Sequence, residues 1–180
     1  MEHLLLQFRK LNLLKGKVIP KKSQEESTHI LYDVVDRIPF IDFLGVKFDL
    51  FEDKIRARLP FKAELIGNGF IKALHGGAIG SFLETVAIVE LAHYLNMSKK
   101  IPQKMGTIKL PKTIDFTIDY MYPGLDRDSF ALAKVNRAGK RYASVSVKAW
   151  QESKEKPFAQ AIGHFLVPKV DLKSWENETR

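Results

Sequence analysis

Apolar positions recur along the first part of the chain at the spacing of a helix. Five leucine or phenylalanine residues between Leu4 and Leu14 share one stripe and predict a short amphipathic helix that ends near Gly16. The polar stretch KKSQEES that follows resembles a linker. A second helical pattern is predicted from Thr28, as its N-cap, to about Ile38.

The period of the apolar positions changes to two after Gly45, which is typical of strands. Apolar and charged residues alternate over residues 46–50 and 55–59, and with a turn at 52–53 they predict a β-hairpin. Four more strand patterns follow later in the chain. They cover Ile114–Tyr120, Phe130–Arg137, Tyr142–Trp150 and Phe158–Val167.

The most apolar part of the chain lies between these two groups of strands. Its helical spacing predicts a helix from about Gly76 to Leu95, and because this helix is apolar nearly all round it should be buried. Only a sheet built from the predicted strands can cover it, which indicates an α+β fold with about six antiparallel strands. Glu84 and Glu90 interrupt the apolar run, so we expect a soluble protein rather than a membrane-spanning one.

Composition narrows the chemistry that this fold can carry. The chain has 180 residues and no Cys, which excludes disulfides, thiolate zinc sites and a cysteine nucleophile. Its five histidines are dispersed, so we expect no metal site and no metal cofactor. The formal net charge of +8 has two poles, +5 in residues 1–22 and +7 in residues 99–148. Such a surplus suggests a polyanionic partner, but few aromatics accompany it, so nucleic acid is not expected.

The sequence LHGGAIGSFLETVA, together with the order of the predicted elements, resembles the hotdog fold. Within that fold the chain is similar to the acyl-CoA thioesterases of the 4-hydroxybenzoyl-CoA and phenylacetyl-CoA (PaaI-like) type. The similarity covers about residues 30–168 and includes IPFIDFLGVKF and TIDFTIDYMYPG. It implies an antiparallel sheet wrapped around one long helix, a homodimer or a dimer of dimers, and hydrolysis of an acyl-CoA thioester without a cofactor.

The resemblance also implies roles for residues around the start of the long helix. The backbone N–H of Gly76, the residue after His75, would polarise the thioester carbonyl, and Glu84 would act as general base or nucleophile. Elementary physics agrees for Gly76, because the first N–H groups of a helix lack partners and lie at the positive end of its dipole. His75, Gly77 and Asn68 are expected to contact substrate.

Helix geometry adds an expectation about assembly. Gly76 and Glu84 are eight residues apart, which corresponds to about 12 Å along a helix. One thioester carbon cannot contact both groups of the same chain. If both act on it, the site combines two chains with antiparallel helices, which predicts an obligate homodimer.

Several of these residues also have ordinary structural interpretations. His75 could be a structural histidine and Asn68 a loop residue. Arg137, Lys140 and Arg141 could bind the phosphates of coenzyme A or form a solvated hairpin that discourages sheet aggregation. Glu90 lacks motif support and is expected to be exposed or salt-bridged.

The complete expectation is therefore a cytoplasmic enzyme with one catalytic domain. Residues 1–27 would form the amphipathic helix and linker, residues 28–170 the thioesterase domain and residues 171–180 a tail. Simple docking of the N-terminal helix is favoured over contact with a membrane. Two other functions stay open, a non-catalytic acyl-CoA-binding regulator and a hotdog dehydratase or hydratase.

Overall fold

The computed structural model describes residues 21–51, 54–98 and 109–168. The amphipathic helix predicted near the N-terminus, the turn at 52–53 and the C-terminal tail lie outside these residues. Three helices are described: α1 (Lys21–Val35), α2 (Pro39–Leu44) and α3 (Gly76–Ser98). The strands are β1 (Lys47–Phe51), β2 (Lys54–Leu59), β3 (Ile66–Asn68), β4 (Ala73–Leu74), β5 (Lys112–Tyr120), β6 (Ser129–Ala138), β7 (Tyr142–Trp150) and β8 (Ala159–Leu166).

Six of the strands form one antiparallel sheet in the order β1-β2-β6-β7-β8-β5, and β3 pairs with β4 in a separate small hairpin. Alternate residues of the central strands are buried against α3, as the period of two predicts. On β7 these residues are Ala143, Val145, Val147 and Ala149. The long helix with a sheet wrapped around it is the hotdog architecture, so the predicted fold class is confirmed.

Helix α3 is apolar enough and long enough to cross a membrane, but over half of its apolar window, 56 %, is buried inside the protein. Phe82, Leu83, Val86, Val89 and Leu91 are almost completely buried. A helix that is apolar all round is stable in water only when other elements cover it. The sheet and α1 do so here, and α3 is the core helix of the domain.

Helix α1 differs from its prediction at both ends. It begins at Lys21, so the stretch taken for a linker is helical, and Thr28 lies inside the helix rather than at its N-cap. The stretch lacks Gly and Pro and is rich in Lys, Gln and Glu, which favour helices even where the segment is polar. The helix ends at Val35, ahead of Ile38, because the residue before Pro39 is sterically restricted to extended backbone.

Helix α2 was not predicted, although the sequence carries signals for both of its ends. Pro39 occupies its first position, where a missing N–H costs nothing. Gly45 follows its last residue with a φ of 76° and donates its N–H to the carbonyls of Ile41 and Asp42. A left-handed glycine of this kind is a common end of a helix.

Strand β5 lies at one edge of the sheet, with β8 on one side and no described strand on the other. Phe116, Ile118 and Tyr120 pair with residues of the buried face of β8, so they lie on the helix side of the sheet. The strand runs antiparallel to α3, and its Tyr120 end lies beside the start of that helix.

Candidate active site

The β3–β4 hairpin fixes the start of α3. The N–H of His75 donates to the carbonyl of Leu65 at 2.7 Å, and the N–H of Leu74 donates to the carbonyl of Gly124 at 2.7 Å. Gly67 lies so close to His75 that a Cβ on it would come within 2.5 Å of the His75 Cα. Only glycine fits there without a shift of backbone, so the local sequence GNG contributes directly to the position of His75.

The side chain of His75 caps α3. Its Nδ1 accepts a hydrogen bond from the N–H of Gly77 at 2.9 Å, and its carbonyl accepts one from Ile79 at 3.1 Å. This assigns the neutral ring a hydrogen on Nε2. The bond gives His75 the role that Ser or Asn usually has at an N-cap, and it occupies the N–H of Gly77. The structure therefore gives His75 a clear positioning role.

Gly76, the first residue of α3, keeps its N–H available. No acceptor within the described ranges contacts this N–H, whereas the Gly76 carbonyl accepts a hydrogen bond from the Tyr120 hydroxyl at 2.8 Å. Tyr120 therefore ties the helix start to the edge strand. Sequence reasoning missed this role, and the only signal was the position of Tyr120 on the apolar face of β5.

Glu84 lies two turns further along α3, eight residues after Gly76 and about 80° around the helix from it. Gly80 lies midway between the two, and a Cβ on Gly80 would come within 3.0 Å of the Ile118 Cδ1. Glu84 is half-buried, and no hydrogen-bond donor or cation of the described part of the chain pairs with its carboxylate. Gly76 and Glu84 lie about 12 Å apart along the helix.

Asn68 takes part in the turn between β3 and β4. Its Oδ1 accepts hydrogen bonds from the N–H groups of Phe70 at 3.0 Å and Ile71 at 3.4 Å. Lys72, at the end of this turn, has a φ of 50°. The side-chain oxygen is thus used to shape the loop, as the structural interpretation of Asn68 expects.

The basic residues of the β6–β7 hairpin lie far from Gly76 in the same chain. At that end of the sheet Tyr142 pairs with Leu166, and Leu166 pairs with Lys112 at the start of β5. Tyr120 is eight residues further along β5, about 27 Å away for an extended strand. Arg137, Lys140 and Arg141 are all exposed. One chain therefore does not bring them to its own Gly76.

A cleft of about 450 Å³ opens on the other side of the α3 start. Its walls are α2, the single 3-10 turn Ala63–Leu65 and the first turns of α3. The residues that line it are Phe40, Phe43, Leu44, Lys62, Glu64, Leu65, His75, Gly77, Ala78 and Ser81. The cleft shares His75 and Gly77 with the candidate site and is largely apolar on its α2 side.

Glu90 differs from its prediction as an exposed or salt-bridged residue. It is largely covered, and this burial raises its pKa to about 7, while the ammonium of Lys54 acts in the opposite direction. No cation within the described residues forms an ion pair with it. Glu90 lies 14 residues beyond Gly76, which is about 21 Å along the helix, and it is covered within its own chain. It therefore does not belong to the candidate site.

Comparison with known proteins gives four informative matches. A model of the thioesterase superfamily matches residues 72–158. The medium/long-chain acyl-CoA thioesterase YigI of Escherichia coli is 31 % identical over 123 residues, which are 66 % of this chain and 79 % of that protein. A Shewanella oneidensis structure related to the thioesterase superfamily matches with a TM-score of 0.67 at 22 % identity, over 83 % of this chain and all of that one.

A second solved structure, a Bacillus halodurans protein determined with CoA, matches with a TM-score of 0.57 at 18 % identity. The match covers 86 % of this chain and 99 % of that one. At this identity the likeness concerns the fold alone.

Proposed function

Because the chain belongs to the thioesterase superfamily, we propose that it hydrolyses acyl-CoA thioesters to a free acid and CoA, in composite sites of a homodimer. The observation that carries the proposal is the N–H of Gly76, which has no acceptor among the described residues and lies at the positive end of a buried helix, with Glu84 two turns further along that helix. The similarity to YigI, a medium/long-chain acyl-CoA thioesterase, supports CoA as the carrier.

Gly76 would supply the oxyanion donor. Its N–H donates to the carbonyl oxygen of the thioester, and this hydrogen bond strengthens as negative charge develops on that oxygen. The dipole of α3 favours the same charge. Tyr120 and His75 hold the helix start in place from opposite sides, so the donor needs no rearrangement during the reaction.

Glu84 of the partner subunit would supply the carboxylate, by one of two routes. As a general base it takes a proton from water while the water oxygen attacks the carbonyl carbon. As a nucleophile its carboxylate oxygen attacks instead, and water then hydrolyses the resulting anhydride. In both routes the C–S bond breaks, the thiolate of CoA leaves and is protonated, and the acid is released.

The open edge of β5 is where we place the contact between the two chains. Tyr120 is level with Gly76 and Ile118 with Gly80, so by the spacing of helix and strand Phe116 is level with Glu84. An antiparallel pairing of two β5 strands centred on Ile118 brings Gly76 of one chain level with Glu84 of the partner subunit. It also puts Gly80 at the two-fold axis, where the missing side chain lets the helices approach.

Charges on the outer face of β5 favour the same register. A pairing centred on Ile118 sets Thr117 opposite Asp119 of the partner subunit. A shift to a centre on Thr117 would set Asp115 opposite that aspartate, and like charges directly across a strand pair are destabilising. The required catalytic geometry and the electrostatics therefore agree on one register.

This arrangement also gives the basic hairpin a role. The partner that supplies Glu84 brings its own β6–β7 hairpin towards the Gly76 end of the first chain. Arg137, Lys140 and Arg141 of the partner subunit would then form the rim for the CoA phosphates. The alternative, a solvated edge, predicts that neutralising these three residues leaves KM for acyl-CoA unchanged.

Thiol release from a panel of aryl and aliphatic acyl-CoAs, with wild type and Glu84→Ala side by side, tests the activity. Release that is lost in Glu84→Ala supports the proposal, and release that survives unchanged removes Glu84 from the mechanism. Binding of acyl-CoA without any thiol release would instead indicate the regulatory function, and hydration of an enoyl-CoA the hydratase function.

Mixing two inactive variants tests the composite site. Glu84→Gln and Gly76→Pro homodimers each lack one group in both sites, whereas a heterodimer has one site with both groups intact. Random exchange of subunits should restore about a quarter of the wild-type activity. A mixture that forms heterodimers, as mass spectrometry would verify, but stays inactive would contradict the composite site.

Sedimentation of the wild type distinguishes a dimer from a tetramer. The cytoplasmic location stays a prediction.

A further inference from the structure

Helix α2 has two apolar faces, and only one of them packs on the core. Ile41 and Leu44 are 2 % and 4 % exposed and anchor the helix. Phe40 and Phe43 lie on the neighbouring, solvent-facing side with their ring centroids 5.6 Å apart, and they are 45 % and 76 % exposed. A helix that docks on a core needs only one apolar face. The second face is therefore available for a ligand.

Contacts at the C-terminal end of α2 fix the position of this aromatic pair. The Lys62 ammonium donates to the carbonyl of Phe43 at 3.4 Å. Gly45 leaves room for this contact, because a Cβ there would come within 2.7 Å of the Lys62 Nζ. The left-handed φ of Gly45 also ends the helix directly after Leu44. Phe43 is thus held at the mouth of the cleft.

The cleft joins the aromatic pair to the candidate active site. Phe40 and Phe43 form one wall, and His75, Gly77 and Ser81 form the opposite one. Gly77 is the residue directly after the proposed oxyanion donor. The volume of about 450 Å³ lies within the range of sites for small molecules.

We propose that the cleft binds the acyl chain of the substrate and that Phe40 and Phe43 make the enzyme selective for medium or long aliphatic chains; this inference rests on the proposed function. A thioester carbonyl at Gly76 has the acyl chain on one side and the sulfur of CoA on the other. The polyanionic CoA is directed towards the basic hairpin that the partner subunit brings to this end. The apolar substituent then enters the largely apolar cleft, and each buried methylene adds about fourfold to binding.

A second copy of the chain is the competing occupant of this aromatic face. The proposed dimer contact follows β5, which lies on the Gly76 and Gly80 side of α3. The cleft lies on the Gly77 and Ser81 side, and Gly77 joins it directly to the reacting carbonyl. Continuity with the candidate site therefore favours the acyl chain.

The test is the dependence of kcat/KM on chain length in Phe43→Ala and in the Phe40→Ala/Phe43→Ala double variant. For dodecanoyl-CoA we expect a fall of about tenfold or more, with acetyl-CoA changed less than about twofold. Phe43→Leu should keep most of the preference for long chains. Tyr32→Ala, which removes an exposed aromatic of α1 outside the cleft, is the matched control and should leave the profile unchanged.

An equal fall for all chain lengths, or an unaltered profile, would overturn the inference. Dissociation of the double variant into monomers in sedimentation would do so as well, and would assign the aromatic face to a second copy. Calorimetry with dodecanoyl-CoA and CoA in the Glu84→Gln background gives a readout without turnover, in which adding Phe43→Ala should lower the affinity for dodecanoyl-CoA but not the affinity for CoA. Equal affinities with and without Phe43→Ala would contradict the acyl site, whereas absence of thiol release from every substrate would contradict only the proposed function.

Discussion

The two halves of α3 carry one carboxylate each, and the two carboxylates have opposite surroundings. Around Glu84 the helix is rich in glycine and borders an open strand edge, and its carboxylate has no partner among the described residues. Around Glu90 the helix is covered, and burial raises the pKa of this residue to about 7. A strongly perturbed acid is a common sign of an active site, but here it marks packing.

The proposed homodimer accounts for this inversion. A site shared between two chains would leave each chain with an incomplete environment for its reactive group, so Glu84 is expected to have no partner within the described part of its own chain. Glu90, in contrast, is largely covered within one chain. For the proposed site, position relative to the open edge of β5 is therefore what distinguishes Glu84 from Glu90.

Exchange of the two carboxylates for amides tests this difference most directly. Glu84→Gln should lower kcat by about 10²- to 10⁴-fold, because it removes the group that activates water or attacks the thioester. Glu90→Gln, on the same helix, should retain nearly full activity. Thiol release measured at saturating acyl-CoA gives the comparison, and a larger loss in Glu90→Gln than in Glu84→Gln would reverse the assignment.

The N–H of Gly76 can be removed without removal of the helix. Proline is tolerated at the first position of a helix, so Gly76→Pro should fold and lose about 10²- to 10³-fold in kcat. Gly76→Ala keeps the N–H, and its Cβ would meet Tyr120 at an ordinary 3.5 Å, so the loss should stay below about tenfold. Circular dichroism controls for folding. Equal activities of the two variants would argue against a backbone oxyanion donor.

In the buried half of α3, Glu90 should make the stability of the protein depend on pH. Between pH 4.5 and about 7 the folded chain keeps the proton on Glu90 that the unfolded chain releases, so stability falls as pH rises. Above pH 7 Glu90 is ionised in the folded chain too and the cost of its buried charge is fully present, so Glu90→Gln should raise the free energy of unfolding by about 3 kcal/mol. Below pH 4.5 this gain should vanish.

Urea unfolding at pH 4 and pH 8, at one protein concentration, measures this difference. Lys54→Met is the companion variant. It removes the cation that lowers the pKa of Glu90, so the ionised Glu90 should destabilise the protein more at pH 8. A gain from Glu90→Gln that is the same at both pH values would show that ionisation of Glu90 is not its cause.

The smallest effect is expected from the hydrogen bond between the Tyr120 hydroxyl of β5 and the Gly76 carbonyl at the start of α3. Tyr120→Phe removes the hydrogen bond to the Gly76 carbonyl and should cost about 1 kcal/mol in stability. Because this bond holds the helix start, kcat should fall modestly while KM changes little. Tyr122→Phe, an exposed tyrosine two residues on, is the control. A kcat that is identical in all three proteins would leave Tyr120 without a role in catalysis.

Much of this fold could be predicted because its signals are local. The change of period after Gly45 separated strands from helices, and the apolar run after His75 predicted a buried helix in its observed place. The errors were local too. A polar but helix-favouring stretch was taken for a linker ahead of Thr28, and the Pro and Gly that bound α2 were not used.

The sequence by itself determined the six strands of the large sheet, the long helix α3 with its glycine-rich start, and the spacing of Gly76 and Glu84, because these follow from neighbours along the chain. Only the tertiary structure decided that β5 is an edge strand, that Tyr120 reaches the carbonyl of Gly76, that Glu90 is covered and that Phe40 and Phe43 border a cleft. Each of these depends on which distant segments pack together. Apolar alternation makes a strand face the core, but it does not specify which strand lies beside it or which remains at the edge.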